Sequence, residues 1–275
     1  MDGRLDDRVL PATRALSVLI IPFLAAGFGI LYLFPGHTRE LFAWTLKPAV
    51  AAMTLGATYL GGVYFFLRSA TAGRWHTVQA GFPPIAAFAG LLGIATVLHW
   101  GRFNHGHLSF VVWSAIYFTT PFLVLAAWLR NRARDPGRLS PEQLQTPIAA
   151  RWALAVSGLL VLAVGAVFFL LPALAIGVWP WALTPLTARV LAAMLVLAGV
   201  AQVSVAADGR WTAARTTLES QLLALAFMIL AAVLARGDLA PANPLSWAWA
   251  GGLLAVAVGI AGLMYQMRGW RPAPS

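Results

Sequence analysis

Three of the five histidines fall within nine residues, as His99, His105 and His107 of the stretch LHWGRFNHGH, with Arg102 among them. Residues of these types at this spacing support four readings. Neutral imidazoles suit zinc or copper at about 2.0–2.1 Å, and a His-x-His pair such as His105 and His107 points both rings the same way on extended backbone. A b-type haem needs two axial imidazoles facing each other from helices, and only His99 stands at a helix end. Arg102, with Arg39 and Lys47 of the preceding outer loop, favours an anion or a lipid head group and opposes a cation. A solvated loop needs none of these. The metal candidates are therefore His99, His105 and His107, and the pattern specifies no cofactor.

The elements that must hold these side chains are set by composition. Of 275 residues, 60% are hydrophobic and 10% charged, with a mean hydropathy of +0.77, which marks a membrane protein. Eight runs nearly free of charge occupy 15–34, 48–67, 80–99, 108–129, 152–171, 190–207, 218–235 and 245–264. Each is long enough to cross a hydrocarbon layer about 30 Å thick as a helix rising about 1.5 Å per residue. The seventh carries Glu219 and Gln221 in its first turn, with Arg215 four residues before Glu219 and placed to pair with it. The first run is a full span with no small-residue cleavage site behind it, so it is expected to stay in the membrane. The expected fold class is all-α, a polytopic membrane protein of eight transmembrane helices.

Several chemistries lack their parts. There is no cysteine, which removes disulfides, thiolate ligands and a thiol nucleophile. Nor is there a Gly-Lys-Ser/Thr phosphate loop, a His-Glu-x-x-His helix, an Asp-rich pair for magnesium or a pair of carboxylates inside a span. The sequence points away from an enzyme. Lys47, Arg189 and Glu219 sit near span ends, leaving Thr58, Tyr59, Tyr64, Tyr117, Thr119, Thr120 and Gln202 to line a neutral path or to bond between helices.

Fourteen of the nineteen basic residues lie at the termini or in even-numbered loops, which by the positive-inside rule makes both termini cytoplasmic. His37, His99, His105 and His107 are then extracytoplasmic and His76 is not. The net charge of +10 follows from a basic rim on anionic lipid, and nucleic-acid binding is not indicated. One lysine against eighteen arginines, with abundant Ala and Gly, points to a bacterial plasma membrane.

The halves also match each other at an offset of 134 to 137 residues. FAWTLKP, from Phe42, lies over WPWALTP, from Trp179; AGRW ending at Trp75 lies over DGRW ending at Trp211; VLHWGR, from Val97, lies over VLARGD, from Val233; and Trp113 falls over Trp247. Four helices per copy make the repeats parallel, with residues 1–130 and 152–275 as the two copies and 131–151 as a polar cytoplasmic linker whose Ser140 and Pro141 are suited to start a short helix. Trp44, Trp181, Trp75 and Trp211, with Arg74 and Arg210, are expected to anchor at the head groups. Small residues at every fourth position, Gly251, Ala255 and Gly259, or Ala86 with Gly90 and Ala89 with Gly93, mark helix-packing seams. The histidines have no counterpart in the second half, since His99 lies over Ala235 and Arg102 over Asp238.

FAWTLKP followed by LGATYLGG, then LLGIATVLHWGRFNHGH and WALTPLTARVLAAMLVLAG, resemble a family of uncharacterised multi-spanning proteins from actinobacteria and related bacteria. The resemblance spans about residues 34–267, and His99, Arg102 and Phe103 match its Leu-His-x-x-Arg-Phe pattern; it implies no activity. The site expected first is an extracytoplasmic pocket formed by His99 and Arg102, with His37, Arg39 and Glu40 in reach, taking a small ligand, ion or head group. The alternatives are a transporter or channel between the repeats, and an accessory subunit bound to another membrane protein or to a second copy. Because the chain has no cysteine, an impermeant thiol reagent on intact cells is expected to label a cysteine at Asn104 and not one at Ser140; the reverse pattern inverts the topology.

Overall fold

In hydrocarbon every backbone amide must find a partner within the chain, so charge-free runs of this length are confined to helices. The computed structural model describes residues 7–135, 137 and 144–268, and among these it is helical apart from turns and two isolated β-bridges. Among the described residues, eight helices are long and apolar enough to cross a membrane. They are α1 (Pro11–Phe28, continued by a π-helical turn, Gly29–Leu33), α2 (Ala49–Thr71), α3 (Phe82–Leu98), α4 (Leu108–Arg132), α5 (Ile148–Leu170), α6 (Pro185–Asp208), α7 (Trp211–Leu234) and α8 (Pro244–Arg268). Ser140 and Pro141, read as a helix start, lie outside the described residues.

The boundaries that differ most from the sequence expectation are the starts of α6 and α7, each for a local reason. α6 starts five residues before position 190, where Pro185 fills the first turn and the Thr184 hydroxyl accepts the Thr187 amide at 3.2 Å. Arg189 therefore lies inside the helix. α7 starts at Trp211 rather than 218, because the Arg215 guanidinium donates to Glu219 at 2.8 Å and the pair answers its own charge within the helix. Glu219 is thus two turns inside α7 instead of in its first turn. Thr217, outside the expected span, becomes part of it.

Within each half neighbouring helices pair, α1 with α2, α3 with α4, α5 with α6 and α7 with α8; between the halves α2 packs on α7 and α3 on α6. Apolar side chains gain nothing by leaving lipid for one another, so close contact falls to glycines. A Cβ on Gly199 would lie 2.6 Å from the Leu162 amide, one on Gly165 2.9 Å from the Ala192 carbonyl, and one on Gly93 2.8 Å from the Tyr117 carbonyl. Gly93 is thus a seam of the kind expected for α3, whereas Gly251 and Gly259 on α8 face open space and Ala255 is exposed. Trp44, Trp75, Trp181 and Trp211 are buried, which corrects their reading as head-group anchors. Each packs into an aromatic or apolar cluster, where its large ring surface serves the core.

Two substitutions separate these kinds of glycine. Gly199→Leu forces α5 off α6 and is expected to destabilise the protein by about 1–3 kcal/mol, read as a lower thermal midpoint in detergent. Gly251→Leu is expected to leave the midpoint unchanged.

Candidate functional site

At the histidine end, His99 caps α3 and is half-buried, while Arg102, His105 and His107 are exposed, as are His37, Arg39 and Glu40. His99 turns to the second half of the chain instead of joining Arg102. Arg189 of α6 donates through Nη1 to His99 Nε2 at 2.6 Å and through Nε to the Phe169 carbonyl at the end of α5 at 3.1 Å. An arginine only donates, so Nε2 is the unprotonated nitrogen of a neutral ring. The side chain of Arg102 makes no hydrogen bond or ion pair among the described residues, and no three His, Asp or Glu side chains there converge as a metal would require. His105 packs instead against Trp100, tilted, and Phe110, edge-on, with ring centroids 5.2 and 4.6 Å apart. Asn104 ties this loop to the first one through the Arg39 and Phe42 carbonyls, which makes Gly106 a cleaner position than Asn104 for a labelling cysteine.

The linker end carries a denser network that sequence reasoning passed over. Arg210 grips Asp135 with both terminal nitrogens, at 3.0 and 2.8 Å, and Asp208 through Nε and Nη2, each at 2.8 Å. All three side chains are nearly buried. Gln79, before α3, donates to Asp208, and His76 pairs with Asp7, so the network joins both halves. Burial, the largest single influence, works to raise the Asp135 carboxyl, but the Arg210 hydrogen bonds, the Gly137 amide and the charges of Arg210 and His76 together outweigh it and hold it below the usual carboxylate range. Hydrogen bonds to Asp208 push the Arg210 guanidinium still higher. The connection can be this tight because Gly209 closes α6 at φ 76°, where a Cβ would strike Arg151, whose Nε donates to the Ala206 carbonyl.

Between these ends lies a cavity of about 240 Å³, far above the roughly 10–15 Å³ that one water needs. Along α2 its lining runs from Thr54 to Phe66, roughly 18 Å of helix. The other walls come from α1, α3, α4, α6, α7 and α8, and no charged side chain is among them. Just before and along α3 the lining positions are 81, 84, 85, 88 and 89; on α7 the positions 136 residues later, 217, 220, 221, 224 and 225, all line it too, with 228 beyond them. Thr58, Tyr59, Tyr117, Thr120 and Gln202 of the neutral path do line it, and the Tyr59 and Tyr117 hydroxyls meet at 2.7 Å. Tyr64 instead donates to Glu219, and Thr119 turns back to the Ala115 carbonyl. Trp179 and Trp249 line the histidine end, with Trp181 packed against both at 5.6 and 4.9 Å. Thr217 and Gln221 also line the cavity, with Thr217 Oγ1 and Gln221 Oε1 buried and unpartnered. A helix start placed at 218 left Thr217 outside the span and Gln221 in a first turn at the water boundary; the i, i+4 spacing of the two polar residues was the available signal. Searches against protein-family models, curated proteins and solved structures find no match to this chain.

The His99–Arg189 contact makes the histidine end pH-sensitive. Burial, then the charges of Arg189 and Arg102, lower the His99 imidazole below its ordinary value. The unfolded chain therefore binds this proton more readily, so the contact's contribution is full above about pH 6.5 and is lost as pH falls from there through the lowered folded value. Between pH 6.5 and 5 the thermal midpoint is expected to drop more steeply for the wild-type protein than for His99→Gln, whose amide oxygen accepts from Arg189 without titrating. Parallel curves would remove His99 as the cause.

Proposed function

We propose that this chain is a non-enzymatic, multi-spanning protein of the bacterial plasma membrane that holds an uncharged, largely apolar small molecule in the cavity between two parallel four-helix repeats, with both termini cytoplasmic. The observation that carries this is a space of this size lined without a single charged side chain. An ion placed there would give up its hydration with no counter-charge to offset the loss, whereas an uncharged molecule keeps its apolar contacts.

The repeat reading is supported by contacts that recur at nearly constant offset. The Trp75 amide donates to Asp7 and the Trp211 amide to Leu144; the Asn104 amide donates to Ala43 and the Ala240 amide to Pro180. Trp44 packs on Trp113 as Trp181 packs on Trp249, which makes Trp249, not Trp247, the counterpart of Trp113. Exchanging the halves also exchanges the α2–α7 and α6–α3 contacts. A second reading, transport, draws on the cavity's length along the helices and on the polar ties between halves at both ends, His99–Arg189 and Asp208–Gln79.

Ala198 lines the cavity, so Ala198→Phe places a ring in it. Solvent extraction and mass spectrometry of protein purified in mild detergent are expected to find a lipophile with the wild-type protein and to find it depleted at least severalfold in Ala198→Phe of similar thermal midpoint. Equal lipophile in both proteins would sink the proposal.

A further inference from the structure

Two matching stretches of the cavity wall differ in polarity. On α7 the wall presents Thr217, Ser220 and Gln221, whereas the positions 136 residues earlier, just before and within the start of α3, are Gly81, Pro84 and Ile85. The scaffold therefore does not demand polar groups here; they belong to one half. Ser220 is spoken for, since its hydroxyl donates to the Gly61 carbonyl at 2.8 Å. Thr217 Oγ1 and Gln221 Oε1 are not, although Thr217 is only 4% exposed. Residues four apart share a helix face, so the two groups stand one turn apart on the same wall. Helical threonines commonly satisfy themselves on the carbonyl four residues back, as Thr54 and Thr58 do. Thr217 does not.

Buried polar atoms left without a protein partner mark where a ligand group or a water belongs. The chemistry of this pair is specific. Gln221 Oε1 only accepts, so it needs a donor; the Thr217 hydroxyl has a proton to give, so it serves an acceptor. One atom that both donates and accepts satisfies both, and a hydroxyl is the simplest such atom. Toward the histidine end, α7 continues the lining with Ala224, Leu225 and Met228, all apolar.

Resting on the cavity reading above, we infer that the ligand is a neutral lipophilic alcohol, its hydroxyl donating to Gln221 Oε1 and accepting from Thr217 Oγ1, its hydrocarbon tail running along α7 toward Trp249. The head lies nearer the linker end, roughly 9 Å along α7 from its start.

A matched set of photoreactive probes tests this: a diazirine-bearing ten-carbon alcohol, its methyl ether and the corresponding alkane, each cross-linked to the detergent-purified full chain and mapped by mass spectrometry. The alcohol is expected to label cavity residues of the wild-type protein at about tenfold lower concentration than the ether, the cost of leaving one buried partner unmet. In the Thr217→Val, Gln221→Met double variant, alcohol and ether should label alike, while the alkane labels both proteins equally and reports an intact cavity. Equal labelling of the wild-type protein by all three probes would show that water alone serves Thr217 and Gln221 and would overturn this inference while leaving the cavity reading standing. Labelling by none of them above the level in Ala198→Phe would overturn both.

Discussion

At the seam between the halves, α2 and α7 meet backbone to backbone. A Cβ on Gly61 would lie 2.8 Å from the Ser220 carbonyl, and the Ser220 hydroxyl donates to the Gly61 carbonyl. In lipid this contact cannot come from a hydrophobic drive; it needs a residue with no side chain and a hydrogen bond across the gap. Much of the rest depends on it. With Ser220 fixed against Gly61, its neighbours on α7, Thr217 and Gln221, are held at the cavity wall, and Glu219 is brought to Tyr64 on α2. At the far end of the same seam, the Tyr32 hydroxyl, in the π-helical turn after α1, donates to the Phe227 carbonyl of α7. The two ties hold the middle of α7, at Ser220 and Phe227.

Charge is kept toward the ends of this bundle, and the charged groups drawn into its packing are answered where they occur. At the linker end Arg210 is shared between Asp135 and Asp208, two carboxylates gripped by a planar fork that matches their geometry. At the histidine end Arg189 is answered by a neutral ring and a carbonyl, an arrangement that costs the imidazole its proton. The Asp238 carboxylate accepts the amide of Val50 in the first turn of α2, where an anion is favoured by the unpaired amides. These ties cross between the halves at both ends, and the space they leave in the middle is uncharged. A cavity of that kind selects by shape and by a few hydrogen bonds rather than by charge.

Membrane class and the eight helices were legible in the sequence, because hydropathy over about twenty residues is a property of composition alone and the bilayer dictates what such a run must become. The Arg215–Glu219 pair was legible for a similar reason, since residues four apart on a helix are neighbours wherever the helix goes. Gly93 was readable as a seam, but Gly251 and Gly259 had the same pattern and face outward, because spacing within one helix says nothing of which face the bundle covers.

What only the tertiary structure decided is which residues meet across long separations. His99 stands three residues from Arg102 in the sequence, yet its partner is Arg189, ninety residues on, brought there by the packing of α3 on α6. The tryptophans, amphipathic enough to suit a head-group layer, were drawn into the core by aromatic neighbours from other helices. Some of the cavity's polar lining, Thr58, Tyr59, Tyr117, Thr120 and Gln202, was readable as a neutral path, but the cavity's place and size were not. It is lined by residues from seven helices, most of whose side chains by themselves read as ordinary apolar packing. Sequence determined that this chain must bury its backbone in helices and keep its charges at their ends, because those demands are local; the space between the helices is a property of their arrangement, and no single helix carries it.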